Sequence, residues 1–147
     1  MTLFNNISSQ VGGMFFHPDT NLYIGYSGNN IIERYNGTTG EFIDEFTTVK
    51  RQVGGMEIST DGYLYVGYSG NNIIERYNGT TGEFIDEFCN INSQVGGITF
   101  NENDLENFYV GYSGKNYTEK TISNGTVETY WNIPMIDIWN TPMIDTI

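Results

Sequence analysis

A run of 22 consecutive residues occurs twice in this chain: residues 25–46 read GYSGNNIIERYNGTTGEFIDEF, and residues 67–88 carry the same letters 42 positions later. The preceding Val11-Gly12-Gly13 recurs as Val53-Gly54-Gly55 and again as Val95-Gly96-Gly97 at the same offset. A third, drifted copy carries Phe108-Tyr109-Val110-Gly111-Tyr112-Ser113-Gly114, delayed by two residues through the longer loop 101–107. A fixed period constrains the fold more than composition does. Each repeat is one supersecondary unit that buries its apolar faces only against its neighbours.

Within one copy the chain reads as four short strands. Gly13-Met14-Phe15-Phe16-His17 forms the first, ended by the turn signal Pro18-Asp19. Leu22-Tyr23-Ile24-Gly25-Tyr26 forms the second, and Ile31-Ile32-Glu33-Arg34-Tyr35 the third. Asn36-Gly37 then predicts a hairpin, because both residues tolerate positive φ, and Glu41–Phe46 forms the fourth strand. No segment keeps a 3.6-residue period, so helix is not expected in the repeats. The first two strands are apolar on both faces, as sheets stacked face to face require. Asp44 and Glu45 suit an outer edge, where charge discourages stray pairing.

A four-stranded meander repeated every 40–45 residues is the signature of a propeller blade. The expected fold is all-β, with three blades of four antiparallel strands per chain. Residues 12–52, 53–94 and 95–131 form the blades, 1–11 a remnant of a preceding fourth strand, and 132–147 an irregular tail. A β-solenoid is the alternative, though its coils are shorter and lack three hairpins each. The segment Leu64-Tyr65-Val66-Gly67-Tyr68-Ser69-Gly70-Asn71-Asn72-Ile73-Ile74 resembles the LYVADSGNNRI core of NHL-type β-propeller repeats. Tyr77-Asn78-Gly79-Thr80-Thr81-Gly82-Glu83-Phe84-Ile85 is similar to the F-D-x-x-G-x-F hairpin of that family. The resemblance spans about residues 4–131 and implies a fold, not an activity. Tyr26, Tyr68 and Tyr112 stand where the family carries Asp, and Ile31, Ile73 and Tyr117 where it carries Arg.

Propellers usually have four to eight blades, and three leave two faces uncovered. Each face amounts to roughly 400 Å² for four strands about 20 Å long. Self-association is the simplest remedy, with two chains making a six-bladed ring. Phe4–Gly13 matches Phe88–Gly97, so the chain begins inside a fourth strand, the part of a blade that serves as a closing latch; a truncated piece of a longer propeller is the alternative. The tail repeats Trp131-Asn132-Ile133-Pro134-Met135-Ile136-Asp137 as Trp139-Asn140-Thr141-Pro142-Met143-Ile144-Asp145. Its prolines exclude a central strand and a regular helix. Its Trp and Ile content suits docking on a neighbour.

The formal net charge of −12, with six scattered Lys and Arg, gives no basic face for nucleic acid or anionic membrane. No stretch approaches 18 consecutive apolar residues, so no membrane-spanning helix is expected. The first residues carry neither a basic nor an apolar run, so no secretory signal is expected and the compartment, though undetermined, is cytoplasmic by default. Cys89 is the sole cysteine, which removes intramolecular disulfides and thiolate metal sites.

Chemistry is sparsely represented. His17 is the only histidine, so no paired-histidine lyase can form in one chain, and no Ser-His-acid constellation can be argued, since neither other copy has a histidine at the equivalent place. Glu33, Glu41, Asp44, Glu45, Glu75, Glu83, Asp86 and Glu87 are expected on outer strands as solvated carboxylates, with no clustered Asp-x-Asp loop for Ca²⁺. Among the innermost strands only Glu57 is acidic, with Phe15 and Thr99 at its equivalent positions, so neither a metal nor another cofactor is expected. The Asn-Gly-Thr sequons at 36, 78 and 124 are read as hairpin turns. The loops Tyr26-Ser27-Gly28-Asn29-Asn30 and Tyr68-Ser69-Gly70-Asn71-Asn72, with Tyr112 and Asn116 in the third copy, are the candidate ligand-binding positions. An aromatic ring beside amides can hold a sugar or a peptide, and repeated copies would make binding multivalent.

These features favour a non-enzymatic binding or scaffolding module, with itself and a protein or glycan as partners. The alternatives are a carbohydrate-binding propeller and a propeller-type lyase or lactonase. A third is a recently amplified fragment without a defined ligand, as the identity of two copies suggests.

Overall fold

The computed structural model describes residues 6–101, 104–116, 118–122 and 127–128. The expected strand remnant at residues 1–11 is described only from residue 6, and the tail at 132–147 lies outside the described residues. The chain forms three four-stranded antiparallel sheets in sequence order. The first comprises β1 (Val11–Phe16), β2 (Leu22–Tyr26), β3 (Ile31–Tyr35) and β4 (Phe42–Thr48). The second comprises β5 (Val53–Ile58), β6 (Tyr63–Tyr68), β7 (Ile73–Asn78) and β8 (Phe84–Asn90). The third comprises β9 (Val95–Asn101), β10 (Asp104–Tyr112), β11 (Thr118–Ile122) and β12 (Val127–Glu128). This is the all-β architecture of successive blades that the repeat implies.

The register repeats with the sequence. Met14 opposes Ile24 as Met56 opposes Val66, and Tyr23 opposes Arg34 as Tyr65 opposes Arg76. The pairing slips between Val11 and Gly13, and again between Val53 and Gly55. Glycine is required at the two slips by the close approach of neighbouring innermost strands. A Cβ on Gly12 would lie 1.8 Å from the Val53 carbonyl oxygen, and one on Gly54 would lie 2.2 Å from that of Val95.

The core lies between the sheets. Phe15, Tyr23 and Ile32 join Val53, Met56 and Leu64 in one buried cluster. Tyr65 and Ile74 join Val95, Ile98 and Phe108 in the next. Burial of such side chains stabilises by about 1.5–3 kcal/mol each, which makes the inter-sheet junctions the main apolar source of stability. Toward the rim, Arg34 donates from Nε to Asp44 Oδ1 at 2.7 Å and lies over the Phe46 ring. Arg76 repeats this with Asp86, at 2.9 Å and 2.5 Å, and with Phe88. Asp44 and Asp86 therefore engage their neighbouring strands, and their arginines hold both carboxyls below the usual range.

One turn differs from its sequence expectation. Positive φ falls at Gly40 (75°) and Gly82 (74°), not at Asn36-Gly37 or Asn78-Gly79. Asn36 instead accepts the Thr38 and Thr39 N–H groups on its side-chain oxygen, an Asx turn. Gly37 is needed for space, since a Cβ there would lie 2.1 Å from the Thr20 carbonyl oxygen.

Candidate binding surface

The Ser-Gly loops between the second and third strands all sit beside the linker that enters their own blade. Ser27 N–H donates to the Gln10 carbonyl, Ser69 N–H to that of Gln52, and Ser113 N–H to that of Gln94. The ladder of the third and fourth strands runs on by one rung into the following linker: Val49 N–H donates to the Asn30 carbonyl and Ile91 N–H to that of Asn72, both at 2.9 Å. The repeated loops therefore line one edge of the stack.

The candidate residues divide between that edge and the interior. Asn29, Asn72 and Asn116 are exposed, and Asn30 and Asn71 half-buried. Tyr26 and Tyr68 are 0% exposed and Tyr112 is also buried, so the rings lie beneath the loops, not beside the amides. Their hydroxyls meet three acids, of which Glu33 and Glu75 are expected from the sequence on the solvated rim. Tyr26 donates to Glu33 Oε2 at 2.6 Å, and Tyr35 donates to the same oxygen at 2.5 Å. Tyr68 and Tyr77 do likewise to Glu75 Oε2, the latter at 2.8 Å, and Tyr112 donates to Glu119 Oε2. Glu33, Glu75 and Glu119 are all buried, which corrects the expectation of solvated carboxylates at 33 and 75. The register explains it, because Glu33, Glu75 and Glu119 oppose Ile24, Val66 and Val110 on the apolar second strands. A signal existed: Tyr26–Glu33, Tyr68–Glu75 and Tyr112–Glu119 all keep a spacing of seven, even in the drifted copy.

The second carboxylate oxygen meets the linker before each blade, at positions 42 residues apart. Ser8 donates to Glu33 Oε1 at 3.0 Å, and Asn92 to Glu119 Oε1 at 2.6 Å. Lys50 Nζ lies 3.0 Å from Glu75 Oε1 as an ion pair, and stacks over the Phe84 ring at 3.7 Å. Burial pushes the Glu75 carboxyl up, but the hydroxyls of Tyr68 and Tyr77 and the Lys50 ammonium outweigh it, and the net shift is downward. Burial, followed by the adjacent glutamate, pushes the Tyr68 and Tyr77 phenols far above their usual range.

Two concavities lie at opposite ends of the innermost strands. A shallow groove of about 430 Å³ runs between the first two blades and is lined by Asn29, Asn30, Lys50, Arg51 and Gln52. Among the described residues, the buried Nη1 of Arg51 has no hydrogen-bond partner there. The equivalent linker positions carry Ser8-Ser9 and Asn92-Ser93, so this is the basic groove of a strongly acidic chain. A cleft of about 360 Å³ includes His17, Glu57, Thr99 and Asn101. Burial pushes the Glu57 carboxyl up. Among the described residues no three His, Cys, Asp or Glu side chains are grouped to hold a metal.

Neither protein-family models nor curated proteins gave a match to the sequence. Solved structures do match. U3-55K aligns at a TM-score of 0.66 with 17% identity, over 87% of this chain and 41% of that one. The WD40 repeats of RRP9 align at 0.65 with 17% identity, over 86% of this chain and 40% of that one. Hydrazine synthase of Kuenenia stuttgartiensis aligns at 0.63 with 17% identity, over 84% and 36%. The chain thus spans about two fifths of the length of the structures it matches. These neighbours do not single out the NHL class among propeller repeats. The fold is that of the β-propeller, of which the chain supplies three consecutive four-stranded blades.

Proposed function

We propose that the chain is a non-enzymatic β-propeller module, assembled from more than one copy, whose loop edge is a binding or scaffolding surface for a protein partner. The observation that carries this reading is the groove between the first two blades, where half-buried Arg51 lies among the loop amides Asn29, Asn30 and Gln52. A carboxylate is the natural complement of a guanidinium fork, because it accepts two of its N–H groups at once. An Asp or Glu side chain of a partner would accept from Arg51, while Asn29, Asn30 and Gln52 offer amides to the adjoining backbone. Tyr26, Tyr68 and Tyr112 hold the loops from beneath, and Asn71, Asn72 and Asn116 extend the same edge across the other blades.

The second reading is multivalent carbohydrate binding, favoured by the recurrence of exposed amides at the loop edge. One experiment addresses both: the full chain, fluorescently labelled, is applied to arrays of acidic and neutral peptides and of glycans. Retention on acidic peptides that falls at least tenfold in Arg51→Ala supports the protein-binding reading. Retention on glycans alone transfers the surface to carbohydrate, and no retention on either array overturns both.

A further inference from the structure

Each internal blade junction is built in the same way. At the first, Val53 and Met56 of β5 occupy the space above Gly25 of β2, where a Cβ would lie 2.9 Å from Val53 Cγ1 and 2.8 Å from Met56 Sδ. At the second, Val95 of β9 occupies the space above Gly67 of β6, with Cγ2 at 2.5 Å from such a Cβ, and Ile98 is buried three residues on. Glycines cross at both junctions: a Cβ on Gly13 would lie 3.1 Å from Gly55 Cα, and one on Gly55 would lie 2.7 Å from Gly97 Cα. The linker that leads into each junction is held to the blade before it, by Val49 N–H on the Asn30 carbonyl and Ile91 N–H on that of Asn72, and both Val49 and Ile91 are buried.

The ends of the stack carry the two unmatched halves of this junction. On the third blade, Gly111 stands where Gly25 and Gly67 do, and only the Gly97 carbonyl oxygen, at 3.9 Å, lies near its Cβ direction among the described residues. A Cβ on Gly97 meets nothing within 4 Å among the described residues. On the first blade, Val11 and Met14 stand where Val53 and Met56 do, and Met14 is 55% exposed against 3% for Met56. Ile7 stands where Val49 and Ile91 do, and is 40% exposed against 3% and 6%. The missing acceptor has its counterpart too, since Asn116 follows Asn30 and Asn72 in the repeat.

We infer that these halves meet between two copies of the chain, the first blade of one protomer seating on the third blade of the other in the geometry of the internal junctions. Val11 and Met14 fill the space above the partner's Gly111, Gly13 crosses the partner's Gly97, and Ile7 N–H donates to the carbonyl of the partner's Asn116. The short β12 does not obstruct this, because it pairs with β11 at Lys120 and Thr121, away from the Asn116 end. The reciprocal contact closes the assembly by twofold symmetry. Two copies of the three described blades give a six-bladed ring, within the usual four to eight. Two contacts of roughly 400 Å² on each face bury on the order of 1,600 Å² in total, the size of a standard stable interface.

This closure deepens the multi-chain part of the proposed function, and its test does not depend on any ligand. Light scattering on a sizing column is applied to the full chain, to Met14→Glu and to Gly111→Trp, with circular dichroism melts to verify that each is folded. Among the described residues Met14 is exposed and the Gly111 Cβ direction meets only the Gly97 carbonyl oxygen at 3.9 Å, so both variants are expected to fold. The expected results are twice the 16.6 kDa chain mass for the unaltered protein and the chain mass for each variant. An equimolar mixture of the two variants is expected to recover a dimer, because the Gly111→Trp protomer keeps an intact first blade and the Met14→Glu protomer an intact third. A monomeric unaltered protein overturns the inference, yet leaves peptide retention by the Arg51 groove standing. Dissociation by Met14→Glu alone also overturns it, by showing that first blades pair with each other.

Discussion

The ammonium of Lys50 lies 3.0 Å from Oε1 of Glu75, a carboxylate with no solvent exposure at all. Its other oxygen accepts from Tyr68 and Tyr77. A buried charge of this kind is tolerated only when paired and hydrogen-bonded. The node thus ties the linker before the second blade to that blade's two central strands.

Acid stability should follow from this node. The folded Glu75 carboxyl titrates below its ordinary value of 4.5, so its stabilising contribution is fully present above pH 4.5 and is lost as pH falls through the lower folded value. Lys50→Met removes one of the groups that lower it. The acid-unfolding midpoint, followed by circular dichroism, is expected to move to higher pH in that variant.

Glu75→Ala is expected to be more damaging than Tyr77→Phe. The alanine leaves two buried hydroxyls without their shared acceptor, whereas the phenylalanine removes one donor from an oxygen that keeps another. Losses of about 3 kcal/mol and about 1 kcal/mol are expected in urea unfolding. Equal losses would mean that the network contributes only through packing.

Glycines on the stack axis should divide by position. Gly55→Ala places a Cβ 2.7 Å from the Gly97 backbone and is expected to cost about 1–3 kcal/mol. Gly97→Ala meets nothing within 4 Å among the described residues of one protomer. Its monomer is therefore expected to melt close to the unaltered monomeric form, while dimer formation on the sizing column is lost.

Cys89 should be inert in the folded state. Burial pushes its thiol up to about 12, so at pH 8 it is protonated as well as shielded. A thiol-reactive dye is expected to label it only after denaturant is added. Rapid labelling of the native protein would indicate that the region between the second and third blades opens readily.

The repeat carried most of the architecture. The 42-residue offset, the alternation within each copy and the Val-Gly-Gly punctuation led to twelve strands in three meanders, as observed. The candidate surface was less legible. Asn29, Asn30, Asn71, Asn72 and Asn116 do lie along one edge, but the tyrosines chosen with them are interior. Counting residue types did not reveal that, because a Tyr beside a glycine loop has the same letters whether its ring points out or under. The Tyr–Glu spacing of seven held the information, and pairing an acid with a buried hydroxyl would have extracted it.

Local sequence decided what each segment is: strand length follows from β-branched and aromatic runs, and turn positions from Asn, Gly and Asp. It did not decide where an identical segment finds itself. Asn30 and Asn72 sit in the same 22 letters, yet Asn30 has φ of 58° and Asn72 does not have a positive φ. Met14 and Met56 occupy the same place in their repeats, yet one is exposed and the other buried. The physical reason is that burial and loop conformation depend on what lies across the junction, and only the stacking of one blade on the next supplies that neighbour.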